Sequence, residues 1–372
     1  MGYDIQHLNK LTGEEIPMHD QRDSGHATSA PARNLPRLLS RREFLRLGLA
    51  GAATLALAGC GSGGTTGGQG GGTTGGQGGG SLRIIYQTGT TQFAQMVLLE
   101  QEGWLAEDLP NYDISWTQLE SGAAVRDALV SGQAEVGAGG IGPFLVGYSN
   151  GINWKILSAL ADIEISLMVD EDRFQSLKDF RSGDQIAVVA PDSVQAVFVR
   201  KAAEQQLGDP GALDNNFVTL PNPDSVQALL SGQIAAHATY PPFTVQEQDQ
   251  GARAIAKSFD LFGTHNLTSV WVLQEYHDAN LEVMDAVYNN VQRATKLIND
   301  DPESAGKILA QKSQLDPAEE TRYLTGQGVS FTTEPHGFIT FAEFMKSAGL
   351  IQTVPGSWQD LVYDNLKGGN GS

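Results

Sequence analysis

Small hydroxyl, amide and glycine residues recur in five loops where a predicted strand leads into a predicted helix. Such loops hold ligands in open α/β sheets, and free amides at helix N-termini bind small oxyanions. The chemistry expected here is non-covalent capture of a small solute. The candidate contacts are Thr88, Gly89, Thr90, Thr91 and Gln92 after the first strand, Ser121 at a helix N-cap, Gly139, Gly140 and Ile141 after the third strand, Asp192, Ser193 and Gln195 at a later helix start, and His237 and Tyr240 near the matching loop.

Some of these residues also have an ordinary structural explanation. Ser121 and Ser193 are good helix N-caps whatever the function, His237 can be a satisfied strand histidine, and Tyr240 can stack on a flat ligand or belong to the core. The five loops contain no arginine, which favours a ligand held by backbone amides and hydroxyls over a tightly paired sulfonate.

An exported esterase is the alternative from another class. The string Gly147-Tyr148-Ser149-Asn150-Gly151 matches the G-x-S-x-G nucleophile elbow, which requires a strand before the serine and a helix after it. Here the predicted order is the reverse, so we expect no catalytic residue.

Metal chemistry has little support in the sequence. Four histidines follow the predicted signal segment, namely His237, His265, His277 and His336, and none lies at ligand spacing from another. We therefore expect neither a metal site nor a cofactor.

The single cysteine lies in an export signal. Arg41-Arg42 followed by Phe44-Leu45 resembles the twin-arginine export motif, and the string that ends at Cys60, Leu-Ala-Gly-Cys, resembles a bacterial lipobox. Residues 1–59 are predicted to be a signal peptide, and Cys60 to carry the lipid that holds the protein at the outer face of the cytoplasmic membrane. Residues 60–80, which contain GGTTGGQG twice, are predicted to form a flexible tether.

The charge balance argues against one class of partner. The chain carries 24 basic and 43 acidic residues, a formal net charge of −19. Because nucleic acids require a basic face, we expect no nucleic-acid partner.

The elements that position these loops alternate between strand and helix from residue 81 onward. Helices are predicted at residues 92–102, 123–130 and 194–206, and from about residue 279 the chain is predicted to be almost entirely helical, with Pro302, Pro317 and Pro335 opening successive helices. Such alternation predicts mostly parallel sheets flanked by helices, an α/β protein. The strands are predicted at residues 82–87, 112–116, 134–138, 154–160, 185–190, 215–220, 252–256 and 267–273.

An internal repeat divides this body into two lobes. The string ALVSGQ at residues 128–133 recurs as ALLSGQ at 228–233, and each copy continues through a short strand to Pro-Phe. We expect a first lobe built from residues 81–165 plus 266–372 and a second from 166–265. Two hinge crossings, near residues 163–169 and 264–270, are predicted to let the lobes close on a ligand.

The ordered series of motifs resembles the solute-binding proteins of the nitrate, sulfonate and taurine uptake family, which share a fold with pyrimidine-precursor binding proteins. The similarity rests on QEGWL at 101–105, ALVSGQAEVGAGG at 128–140, SLKDFRSGDQIAV at 176–188, ALLSGQIAAHATYPPF at 228–243 and DPESA at 301–305. It implies the type II periplasmic-binding-protein fold. Ala235 stands where the family usually has an acidic residue, so the resemblance does not name the ligand.

The resemblance implies a substrate-binding protein that captures a small nitrate-, sulfonate- or taurine-like anion and delivers it to an ABC permease; the motifs around Cys60 add the lipid anchor, and we expect a monomer. The alternative ligand is a pyrimidine or thiamine precursor. A pyrimidine-synthesising enzyme on the same fold is disfavoured because its substrates are cytoplasmic while this chain carries an export signal.

Overall fold

The computed structural model describes residues 79–372. The predicted signal segment, Cys60 and the tether up to residue 78 lie outside the described residues, so export and lipidation stay predictions. None of the helices formed by the described residues has the length and apolar character that a membrane crossing needs.

Eleven strands form in the described part of the chain. They are β1 (Ser81–Gln87), β2 (Asp113–Leu119), β3 (Val136–Gly140), β4 (Trp154–Ile163), β5 (Ser166–Val169), β6 (Ile186–Val188), β7 (Phe217–Thr219), β8 (Ala236–Thr239), β9 (Arg253–Lys257), β10 (Asn266–Leu273) and β11 (Val329–Phe331).

Thirteen α-helices lie between and after these strands in the same residues. They are α1 (Ala94–Glu102), α2 (Trp104–Asp108), α3 (Gly122–Val130), α4 (Ile141–Ser149), α5 (Val194–Leu207), α6 (Asn222–Leu230), α7 (Phe243–Asp249), α8 (Ser258–Phe262), α9 (Gln274–Ala279), α10 (Leu281–Asp300), α11 (Pro302–Ser313), α12 (Pro317–Leu324) and α13 (Phe338–Ser347).

The strands form two sheets, and we call each sheet with its flanking helices a lobe. The first lobe has the order β11-β4-β10-β3-β1-β2, and the second has β7-β6-β8-β5-β9. The predicted α/β architecture of two helix-flanked sheets is confirmed. The sheets are mixed, however, because β10 pairs antiparallel with β3 and β4, and β5 pairs antiparallel with β8 and β9.

The repeat builds the same local structure in both lobes. Helices α3 and α6 are each followed, after one serine, by a glycine with positive φ, Gly132 at 70° and Gly232 at 72°, a conformation that glycine adopts without steric cost. The following amides, those of Gln133 and Gln233, return to Ala128 O at 2.9 Å and Ala228 O at 2.8 Å. Strand β3 then pairs parallel with β1, as β8 does with β6.

Two short passages connect the lobes. Strand β4 ends at Ile163 and β5 begins at Ser166, while the return passage runs from β9 through α8 to β10. Ser258 joins them, because its amide donates to Ile165 O at 2.8 Å and its Oγ accepts from Ile165 N at 2.9 Å. His265 Nε2 lies 2.8 Å from the same Oγ, and burial lowers the pKa of His265 to about 4.

Three sequence expectations need correction. Strands β5 and β10 occupy part of the first and second predicted crossings, because β5 pairs with β8 and β9, and β10 pairs with β3 and β4. The C-terminal region includes β11, which pairs with β4. Pro302 and Pro317 do open helices, whereas α13 begins at Phe338, directly after Gly337, rather than at Pro335.

Candidate functional site

A small cavity lies where the two lobes meet, at the carboxyl ends of β1, β3 and β6. Its volume is about 10 Å³, room for about one water molecule. None of its lining residues carries a formal charge. They are Gln87, Phe93, Gly122, Gly140, Pro143, Val189, Ala190, Ser193, Val194, Gln195, Tyr240, Leu267 and Thr268.

Three helices begin at this cavity. Helix α3 starts after Ser121, whose Oγ accepts from Ala124 N at 3.2 Å, and α5 starts after Ser193, whose Oγ accepts from Ala196 N at 3.2 Å. Helix α4 starts directly after Gly140. Each helix N-terminus supplies free amides and a partial positive charge, so the cavity favours negative charge without a cationic side chain.

Gln195 presents a buried donor that makes no hydrogen bond of standard geometry within the described residues. Its side chain is 3% exposed and lines the cavity, and Nε2 lacks a full partner, although the side chain lies close enough to Tyr240 to lower the pKa of that hydroxyl against the larger effect of burial. Gln92 Oε1, which is also fully buried, lacks a partner too. Because burying such a group without a hydrogen bond costs about 1–3 kcal/mol, a ligand that accepts from Gln195 would offset a cost already present in the fold.

Tyr240 links the second lobe to the first across the cavity. Its Oη accepts from Asn222 Nδ2 at 3.0 Å and lies 3.5 Å from Gln92 Nε2 of the first lobe. Burial raises the pKa of Tyr240 to about 12. The hydroxyl therefore keeps its proton at neutral pH and can donate it.

His237 lies behind Tyr240 rather than on the cavity wall. Its ring is fully buried, with Nδ1 2.6 Å from Glu247 Oε1 and Nε2 3.2 Å from Asn222 Oδ1. His237 is thus linked to Tyr240 through Asn222. Both of its ring nitrogens have hydrogen-bond partners, as expected of a structural histidine in a strand.

In the loop after β1, the side chain that points toward Tyr240 is Gln92, and the threonine hydroxyls have other surroundings. Gly89 has φ 127° and leaves room for Gln92, whose Nε2 donates to Thr88 O at 3.2 Å. Thr90 Oγ1 donates to Glu320 Oε1 at 3.1 Å, while Thr91 is fully buried and its Oγ1 has no partner in the described chain.

The glycine loop after β3 brings the two backbones close together. A Cβ atom on Gly142 would lie 2.6 Å from Asp192 O of the second lobe, and one on Gly140 would lie 3.0 Å from Val194 Cγ2. Asp192 is itself paired, because Arg126 Nη1 of α3 donates to its Oδ2 at 2.8 Å. A second ion pair between the lobes joins Arg322 to Asp249 at 2.8 and 2.9 Å.

The structure brings part of the predicted set to the cavity. Gly140, Ser193, Gln195 and Tyr240 line it, and Gln92 approaches it through Tyr240. The remaining candidates surround these residues without being among the lining residues, and their contacts with ligand stay predictions. They are Thr88, Gly89, Thr90, Thr91, Ser121, Gly139, Ile141, Asp192 and His237.

Sequence reasoning missed several wall residues. Gln87 ends β1, and Val189 and Ala190 follow β6, so the strand-end rule could have found them. Thr268 carried no such signal, because it lies near the start of β10 and reaches the site through the antiparallel pairing; its Oγ1 donates to Gln92 O at 2.9 Å.

Neither an esterase nucleophile elbow nor a metal-binding cluster is found among the described residues. Ser149 is the last residue of α4 and precedes β4, the reverse of a nucleophile elbow. Its Oγ accepts from the amides of Gln352 and Thr353 at 2.9 and 3.0 Å. No group of three or more His, Cys, Asp or Glu side chains within residues 79–372 could hold a metal ion.

Comparisons with known proteins agree with this architecture. A model of the NMT1-like family matches residues 87–311, more than half of the chain. No curated protein matches the chain in sequence.

Solved structures with low sequence identity share the fold. The alkanesulfonate-binding protein SsuA from Xanthomonas axonopodis pv. citri, bound to MOPS, gives a TM-score of 0.62 at 22% identity and covers 76% of this chain and 98% of that chain. The periplasmic nitrate-binding protein NrtA from Synechocystis gives 0.62 at 14%, with 77% and 85% covered. The ligand-binding component of an ABC-type import system from Staphylococcus aureus, with zinc bound, gives 0.61 at 16%, with 77% and 97% covered.

Proposed function

Since the chain belongs to the NMT1-like family, we propose that it is the solute-binding protein of an ABC-type uptake system and captures a small anion between its lobes. The observation that carries the proposal is the uncharged cavity where α3, α4 and α5 begin and where Gln195 Nε2 lacks an acceptor. Nitrate and sulfonate groups present only acceptor oxygens, which match these donors.

Ligand entry requires the lobes to separate. A cavity of about 10 Å³ is smaller than any of the proposed solutes. The contacts that would break are the Gln92–Tyr240 approach, the Arg126–Asp192 ion pair and the Arg322–Asp249 ion pair, and in the last pair the side chains are 53% and 50% exposed. Exposed pairs contribute about 0–1 kcal/mol each, so breaking the Arg322–Asp249 pair costs little when the lobes rotate apart at the two passages, residues 164–165 and 258–265.

The assignment to export rests on the sequence motifs around Cys60. We propose that residues 1–59 are removed, that lipidated Cys60 anchors a monomer outside the cytoplasmic membrane, and that residues 81–165 plus 266–372 form one domain and 166–265 the other. Cys60→Ser is expected to move the protein from the membrane fraction to the soluble fraction. Unchanged membrane retention would contradict the anchor.

The ligand class is tested by isothermal titration calorimetry on the full chain in detergent. Methanesulfonate, taurine, nitrate and bicarbonate form the anion panel, with a pyrimidine for the alternative ligand. At least one anion is expected to bind one to one. Binding of the pyrimidine alone would contradict the anion assignment and favour the alternative.

A matched pair of variants on helix α5 tests the site. Gln195→Glu places a carboxylate where the proposed ligand accepts, so affinity for the anion is expected to fall at least 100-fold, about 2.7 kcal/mol. Gln205→Glu makes the same change at an exposed position of the same helix and is expected to leave affinity within about twofold. Equal losses in both variants would place the anion elsewhere.

A further inference from the structure

Four polar side chains form a buried series behind the cavity in the second lobe. Glu247 Oε1 lies 2.6 Å from His237 Nδ1, His237 Nε2 lies 3.2 Å from Asn222 Oδ1, and Asn222 Nδ2 lies 3.0 Å from Tyr240 Oη. Glu247 and His237 are fully buried, and Asn222 is 7% exposed. Only Tyr240 of the four lines the cavity.

The directions of these hydrogen bonds depend on one another. Asn222 Oδ1 can only accept, so His237 Nε2 must carry a proton to bond with it. Two proton arrangements of the Glu247–His237 pair satisfy this condition: a carboxylate with a doubly protonated ring, or a protonated carboxyl with the Nε2–H tautomer. With Nε2 donating, Asn222 is held with its Nδ2 toward Tyr240.

Gln92 also turns its amide nitrogen toward the Tyr240 hydroxyl. Its Nε2 donates to Thr88 O at 3.2 Å, and the same nitrogen lies 3.5 Å from Tyr240 Oη. Two amide groups therefore face the hydroxyl oxygen with their N–H sides, and the Gln195 side chain acts on the same oxygen in the same direction, since all three amides lower the pKa of Tyr240. A hydroxyl has one proton and two lone pairs, so the proton of Tyr240 is left to point away from both amides.

We propose that His237, held by Glu247, is a positioning residue that fixes the Asn222 amide and so makes the Tyr240 hydroxyl a hydrogen-bond donor to the ligand. The inference rests on the proposed function, since it explains how a cavity without cations selects a ligand that only accepts. Without His237, the Asn222 amide is free to turn its oxygen toward Tyr240, and the hydroxyl then accepts from ligands instead of donating.

The first test needs no ligand. Side-chain ¹⁵N NMR of the ligand-free full chain, with the His237 signals assigned by comparison with His237→Gln, reports which ring nitrogen is protonated. A proton on Nε2 is expected. An unprotonated Nε2 would overturn the inference, whether or not any anion binds.

The second test measures ligand selection. Methanesulfonate and its neutral analogue methanesulfonamide have similar shapes, but only the sulfonamide offers N–H donors. His237→Leu is expected to weaken methanesulfonate binding at least tenfold and to shift the ratio of the two dissociation constants toward the sulfonamide by at least tenfold. His237→Gln, which can place an amide N–H where Nε2 lies, is expected to restore both values to within about threefold of wild type.

A second variant covers the case in which His237→Leu does not fold. Asn222→Asp keeps the side-chain size but replaces the Nδ2 donor to Tyr240 with an acceptor oxygen, so it is expected to weaken methanesulfonate binding at least tenfold. Asn215→Asp, an exposed change in the same lobe, is the matched control and is expected to bind as wild type does.

The outcomes separate the two claims. A protonated Nε2 in a protein that binds none of the four anions contradicts the proposed ligand class and leaves the hydrogen-bond assignment supported. A protein that binds methanesulfonate, but in which His237→Leu and Asn222→Asp leave the sulfonate-to-sulfonamide ratio unchanged, contradicts the positioning role and leaves the ligand class supported.

Discussion

The loop after β3 and the loop after β8 come from the two copies of one repeat, yet different chemistry occupies the space beside them. Three positions 100 residues apart are glycine in the first copy and polar in the second. The pairs are Gly122 and Asn222, Gly137 and His237, and Gly140 and Tyr240. The first copy therefore offers backbone to the cavity at Gly122 and Gly140, whereas the second offers the Tyr240 side chain, with Asn222 and His237 behind it.

Neighbouring apolar side chains use the space that the glycines leave. A Cβ on Gly137 would lie 2.6 Å from Leu129 Cδ1, and one on Gly139 would lie 2.6 Å from Trp271 Cη2. Trp271 in turn packs on Trp154 and Phe144, with ring centroids 5.2 and 5.8 Å away. The same backbone is thus supported by aromatic packing in one lobe and by a hydrogen-bonded series in the other.

Removing the aromatic support of the first copy is expected to have the largest effect. Trp271→Ala deletes a fully buried indole and should lower the free energy of unfolding by about 3–5 kcal/mol, because of lost burial and the remaining void. Urea denaturation monitored by circular dichroism measures this. The half-buried Trp116 of β2 is the matched control, and Trp116→Ala should cost less; equal costs would contradict the supporting role of Trp271.

The glycine loop of the first copy is expected to affect binding more than stability. In Gly142→Ala the new methyl group would meet Asp192 O at 2.6 Å, so the lobes should close less completely and ligand affinity should fall about tenfold, or 1.4 kcal/mol. Since alanine is about 1 kcal/mol better than glycine inside a helix, the free energy of unfolding should not fall.

Calorimetry and small-angle X-ray scattering test this separation of binding from stability. The ligand-bound Gly142→Ala protein should have a larger radius of gyration than ligand-bound wild type. Gly211→Ala is the control, because its nearest atom beyond the chain neighbours is a side-chain oxygen 3.5 Å away. Undiminished affinity in Gly142→Ala would show that close approach of the two backbones is not required.

The two copies also show which structural features could be predicted from the sequence, namely those that depend on local pattern. The match between ALVSGQ and ALLSGQ located both helix ends and the strands that follow them, because the pattern of apolar residues closed by glycine depends on neighbours close in sequence. The N-caps Ser121 and Ser193 were predictable for the same reason. Three of the four candidates on the cavity wall, Gly140, Ser193 and Gln195, lie at helix starts.

Contacts between distant segments were not predictable from local pattern. Thr268 reaches the cavity through an antiparallel pairing with β3, and Arg126 meets Asp192 across the two lobes. Strand β11 has only three residues, and its strand conformation comes from pairing with β4, which no local propensity encodes. Similarly, the partner of His237 is Glu247 in α7, which no motif in the sequence marks.

Glu247 is a buried carboxyl that supports the second copy, and the glycine positions of the first copy have no such group. Replacing it is expected to have the smallest effect, a change in how the free energy of unfolding depends on pH. Burial raises the pKa of Glu247 above its ordinary 4.5. The folded state therefore binds the proton more tightly, so the contribution to stability is fully present below pH 4.5 and is lost as the pH rises through the folded pKa. The free energy of unfolding of wild type minus that of Glu247→Gln should fall with pH across this window, by at most about 1.4 kcal/mol per pH unit.

Asp249→Asn is the control of opposite sign, because hydrogen bonds from Arg322 lower the pKa of Asp249 below its ordinary 3.8. The stability that Asp249 contributes is present above that value and is lost as the pH falls through the folded pKa. Urea denaturation of the three proteins between pH 3 and pH 8 should give differences from wild type with opposite slopes. Parallel curves for wild type and Glu247→Gln would mean that the Glu247 carboxyl has the same pKa in the folded and unfolded chain. The buried polar series of the second copy would then add no pH dependence to stability, just as the aromatic packing of the first copy adds none.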